Sequence, residues 1–147
     1  MPRFEFRLQQ YLGIKEQLEE QKELEYAKAL RKVEDEKARL QDLINRRDQT
    51  IEDMRKSLQK VISPIDLRRA NNTIERLKHM IVDQRAALAE AEAFAEEKRL
   101  DLLQAMKERK AIETVKDNQR EEFLIEMDKK ERKQVDELVS FKYATRH

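Results

Sequence analysis

Adjacent carboxylates are the first residues in this chain that could do chemistry: Glu19-Glu20, Glu96-Glu97 and Glu121-Glu122. General acid–base work needs two such groups at different pKa values, which requires a cleft that desolvates one of them. Each pair instead sits among charged and amide residues at helical spacing, the pattern of a solvated helix face. His79 and His147 are the only imidazoles, too few for a histidine-based metal site. One glycine, Gly13, leaves no phosphate-cradling loop, and the absence of cysteine removes thiol nucleophiles and disulfides. Asp42 with Arg46, Glu52 with Lys56, Glu126 with Lys130 and Asp128 with Arg132 are i,i+4 pairs, which support a helix rather than a reaction. These residues predict no enzyme, no cofactor and no small-molecule substrate.

The elements that position these groups follow from composition. Charged residues make up 43% of the chain, too many to arrange around a compact core, yet a 39% hydrophobic share is too high for simple disorder. Such a balance with regular apolar spacing is the signature of long helices and coiled coils. The net charge of +1 argues against a nucleic-acid partner, which would call for a basic excess on one face. No apolar run approaches the ~18 residues of a membrane span. The opening "MPRFEFRLQQYLGIKEQ" lacks the apolar core of a signal peptide, so a soluble, intracellular chain is expected.

Counting alternately by three and four from Leu30 gives Val33, Lys37, Leu40, Ile44, Arg47, Ile51, Met54, Leu58 and Val61. This 3.5-residue repeat predicts a helix wrapped on a partner. Upstream, Phe4, Leu8, Tyr11, Lys15 and Leu18 extend the seam, with a one-residue slip expected near Leu24–Tyr26. A second series runs Leu67, Ala70, Ile74, Leu77, Ile81, Gln84, Leu88, Ala91, Ala95, Lys98, Leu102, Ala105, Arg109 and Ile112.

Between the two series stands "ISPID". Pro64 suits a first helical position, where its missing N–H has no intrahelical partner, and Ser63 is a favoured N-cap. Asp66 would lie near the positive end of the helix dipole. A proline inside a continuing helix would cost about 3 kcal/mol. The chain is therefore expected to reverse, so that facing residues have numbers adding to about 125. Leu58 then meets Leu67, Ile51 meets Ile74, Ile44 meets Ile81 and Leu30 meets Ala95. The expected fold is all-α, an elongated antiparallel two-helix coiled-coil hairpin in a single domain, residues 1–147. Helix one covers about 4–61, the turn about 62–63 and helix two about 64–140. Phe4 would face Glu121, leaving most of 122–147 as a C-terminal helical overhang with Val135, Leu138, Val139, Phe141 and Tyr143 exposed.

Three stretches, "FEFRLQQYLGIKEQLEEQ", "ISPIDLRRANNTIERLKHMIVDQ" and "KKERKQVDELVSFKYA", resemble the flagellar export chaperone FliJ family in order and spacing, over essentially the whole chain. The resemblance implies a non-catalytic stalk and escort chaperone of the type III flagellar export apparatus. It would insert into and stimulate the hexameric export ATPase FliI, contact the membrane export gate protein FlhA and handle substrate-specific export chaperones. The expected location is cytoplasmic, peripheral to the cytoplasmic face of the cell membrane through that apparatus. Carried over residue by residue, the ATPase-facing set is Phe4, Phe6, Leu8, Gln9, Leu12, Asp136, Glu137, Leu138 and Phe141. The gate-facing set is Leu43, Arg46, Thr50, Thr73, Leu77, Met80 and Gln84. Family members often carry aromatics where this chain has Arg46, Thr50 and Thr73. The competing readings are a purely structural parallel dimer in which Pro64 is a kink, or a general holdase chaperone. The holdase would need strand-forming segments near the bend, which "SPIDLRR" does not offer.

Overall fold

The computed structural model describes residues 2–146 and holds two helices, α1 (Gln9–Ser57) and α2 (Pro64–Thr145), with no strand among the described residues. His147, counted above among the imidazoles, lies outside them. The helices pack against each other as an antiparallel all-α hairpin. The chain forms two compact units. One joins the N-terminal residues up to Glu20 to those from Leu103 onward; the other is Gln21–Leu102.

The reversal follows from local chemistry. Ser63 Oγ accepts the Asp66 N–H at 3.2 Å and its carbonyl accepts the Leu67 N–H at 3.1 Å, which caps α2 with Pro64 as its first residue. Arg55 and Lys56 occupy the last turn of α1, where cations face the negative end of the dipole. No described residue has a positive φ, so α1 does not end on a left-handed cap. It tightens instead, with Gln59 N–H donating to the Lys56 carbonyl and Lys60 N–H to that of Ser57.

Helix one is therefore shorter than the periodicity predicts: it starts at Gln9 rather than near residue 4 and stops at Ser57 rather than near 61. Leu58 and Val61, assigned above to the seam, belong to the connection and are exposed. Helix two continues to Thr145 rather than ending near 140.

In Gln21–Leu102 the core is a narrow ladder. Ala29, Val33, Ala91 and Ala95 cluster with Leu88 beside them, and Ile74, Leu77 and Ile81 are buried toward the bend. Alanine on both sides lets the helices approach closely. In the other unit Phe6, Leu12 and Ala105 are buried, and the Phe4 ring meets that of Phe123 with centroids 5.6 Å apart.

Every residue of the second predicted series, from Leu67 to Ile112, is buried or half-buried. The first series needs correction. Leu30 and Lys37 are exposed, while Ala29 and Glu36 beside them are buried. Val33, Leu40, Ile44, Arg47, Ile51 and Met54 of that series are buried or half-buried, and so, outside it, are Leu12, Gly13, Lys15, Leu18, Glu19, Lys22, Glu25, Tyr26, Ala29, Glu36, Leu43, Thr50 and Ser57. Within this set Leu12, Lys15, Glu19, Lys22, Tyr26, Ala29, Val33 and Glu36 alternate by three and four without interruption, so the seam needs no slip near Leu24–Tyr26. The expected slip came from joining the upstream seam to a register through Leu30, which is exposed.

Candidate functional site

Polar residues enter this seam as cross-helix layers. Lys15 Nζ lies 3.0 Å from Glu108, and Arg109 bridges Glu19 at 2.6 Å and Glu113 at 2.6 Å. In the other unit Lys98 is 3.7 Å from Glu25 and stacks its ammonium on the Phe94 ring. Glu36 is only 3% exposed, the one charged residue buried to that degree among those described. The Gln84 amide donates to the Glu36 backbone carbonyl at 3.1 Å and also to its carboxylate, which pairs further with Lys32 at 2.8 Å and Arg39 at 3.3 Å.

These bonds hold charges in place. The hydrogen bond from Lys32, then that from Gln84, keeps the Glu36 carboxyl below its ordinary value, against burial. Glu108 is lowered chiefly by the bond from Lys15, which is itself raised by it. Arg109 is pushed further up by its bonds to Glu19 and Glu113. The paired acid positions singled out above provide one member, Glu19, to this seam, and its job is to hold Arg109. The layers at Glu36 and Glu108 were not singled out from sequence. A count by threes and fours that tolerated charge would have found Glu36. Among the described residues no group of His, Asp or Glu could hold a metal ion.

The candidate ATPase-facing residues divide by burial. Phe6 and Leu12 are in the core, Phe4 is half-buried on Phe123, and Leu8 and Gln9 are exposed. Asp136, Glu137, Leu138 and Phe141 are all exposed on α2. From Asp128 to Arg146 no residue is even half-buried. At 100° per residue Leu138 and Phe141 continue the side of α2 that carries the half-buried Phe123 and Met127, so the apolar seam outruns its partner. Val135 and Val139 widen that stripe.

At the bend end, Arg46, Thr50, Thr73 and Leu77 of the gate-facing set line one open groove of about 530 Å³ with Asn45 and Gln49. Arg46 pairs with Asp42 at 3.1 Å, and both threonine hydroxyls donate to carbonyls of their own helices, Thr50 to Arg46 and Thr73 to Arg69. Leu77 is the buried floor. Leu43 is half-buried in the seam and Met80 is exposed, whereas Gln84 is committed to Glu36.

The fold is a helical hairpin with cross-helix polar layers in its seam and exposed apolar residues along the end of α2. The chain belongs to the FliJ family: the family model described as Flagellar FliJ protein matches residues 4–147. That makes it a component of the flagellar export apparatus, a family without catalytic activity. No curated protein and no solved structure matches the chain.

Proposed function

We propose that this chain is a coiled-coil stalk and escort chaperone, cytoplasmic and peripheral to the membrane, which enters and stimulates the hexameric export ATPase FliI. In this reading it acts as one domain and carries no reaction of its own. The observation that carries the proposal is the overhang. α2 extends beyond the N-terminal segment with Val135, Leu138 and Phe141 uncovered, and exposed apolar residues clustered on one helix side favour a partner groove. The groove at Arg46, Thr50, Thr73 and Leu77 supports a second contact, with the gate protein FlhA. Export chaperones carrying substrates are a further expected partner.

Deleting residues 133–147 tests the tip directly. The truncated chain is expected to keep the α1–α2 packing, since none of the described residues removed is buried, and to lose ATPase stimulation. Full stimulation by the truncated chain would exclude the overhang as the ATPase-facing element.

A further inference from the structure

The bend end of the hairpin carries a feature that neither the ATPase nor the gate reading uses. Between Arg55 and Arg69 the chain has five cations, Arg55, Lys56, Lys60, Arg68 and Arg69, against one carboxylate, Asp66. The whole chain is nearly neutral, so this excess is local. Arg55 reaches Glu52 at 3.7 Å, while Lys56, Lys60, Arg68 and Arg69 make no ion pair with any described residue. Asp66 lies in the first turn of α2, where its carboxylate faces the positive end of the helix dipole. At the apex, among these cations, Leu58, Val61 and Ile65 are exposed, and Val61 is completely so, at 106%.

We propose that this apex is a peripheral membrane contact, in which Leu58, Val61 and Ile65 insert shallowly between anionic lipid headgroups and the surrounding cations bind their phosphates. Two features favour lipid over an acidic protein. First, the apolar residues stand on a convex turn, with Val61 projecting clear of its neighbours. A protein would need a pocket to receive it, whereas an acyl boundary needs none. Second, the cations lie on both limbs of the turn and around it, suiting a sheet of negative charge rather than one carboxylate. No helix of the described residues is long and apolar enough to cross a membrane, so the contact is interfacial. An apolar group and a basic cluster together supply the two signals that stable peripheral binding requires.

The chain has no tryptophan, so Val61→Trp in the full chain gives a single-site reporter. With phosphatidylglycerol vesicles its emission is expected to shift to the blue and to be quenched by brominated acyl chains; with phosphatidylcholine vesicles it is expected to stay unchanged. Adding Arg68→Glu and Arg69→Glu should lower the vesicle-bound fraction at least about tenfold, as should high salt. Lys60→Glu, outside both helices, gives the same direction if the double variant disturbs α2. Three results would overturn the proposal: unchanged emission with phosphatidylglycerol, an equal shift with both lipids, or binding indifferent to every charge reversal. Unchanged emission combined with a shift on adding an acidic protein would assign the apex to a protein partner instead. ATPase stimulation is read separately, so failure here leaves the overhang reading intact.

Discussion

Glu36 shows how one residue can set register. A buried carboxylate without partners would be strongly unfavourable, and here Gln84, Lys32 and Arg39 surround it. Glu25, Glu36, Glu96 and Glu108 all have carboxyls held below their ordinary 4.5 by hydrogen-bonded cations. A group whose folded pKa is depressed contributes stability above its unfolded value, and loses it as pH falls through the folded one. The melting temperature is therefore expected to fall as pH drops below about 4.5. Glu36→Gln removes one of these carboxylates, so its melting temperature should lie below that of the parent at neutral pH and converge with it in acid. Thermal unfolding followed by circular dichroism across pH checks this. Phe6 and Leu12 make a different point, since both are buried. Phe6→Ala should cost about 3–5 kcal/mol and Leu12→Ala about 2–5 kcal/mol. Leu8→Ala, at a more exposed position, should stay within about 0.5 kcal/mol. Urea unfolding measures all three. Loss of partner binding in the first two variants would then report the fold, and only loss in the third would report a contact.

At the scale of elements, the two helices were unequally legible. The register of α2 could be read because its seam is filled by Leu, Ile and Ala, with isolated polar exceptions. That of α1 was legible only in part, because Glu19, Lys22 and Glu36 occupy seam positions that the count passed over. Lys15 and Glu19 meet opposite charges about ninety residues away on α2, and Glu36 meets the Gln84 amide there, information that no local window contains. The N-terminal aromatics were likewise ambiguous: Phe6 packs from a non-helical segment, where helical spacing has no meaning. The groove at Thr50 and Thr73 was visible only through family resemblance, since its residue types have no distinctive periodicity. The bend was legible from Ser63 and Pro64 alone, because capping is local. Ser63→Ala should destabilise the chain by about 1 kcal/mol through loss of the bond to the Asp66 N–H. Gly13 is helical, and a Cβ added there meets nothing within 4 Å. Gly13→Ala should therefore stabilise by roughly 0.5–1 kcal/mol in the same unfolding assay.

For the whole molecule, the charged layers decide between one chain folded back and two chains side by side. In a parallel in-register dimer, Lys15 would meet Lys15, Glu19 would meet Glu19, Glu36 would meet Glu36 and Arg109 would meet Arg109. In the hairpin each of these meets an opposite or hydrogen-bonding group. Light scattering is expected to give the monomer mass of 17.7 kDa over a wide concentration range. A mass of twice that value, with acidic and basic seam residues still required, would contradict the fold-back. One consequence concerns the final turns of α2. From Asp128 to Arg146 every residue is exposed, and a helical segment of that length with so little burial sits near the helix–coil balance. Such turns unwind and rewind on about the microsecond timescale. A receptor that reads the wound form captures only that fraction, so its apparent affinity scales with the fraction wound. Solvent-facing substitutions that alter winding alone would thus tune recognition at this extremity without changing a single intermolecular contact.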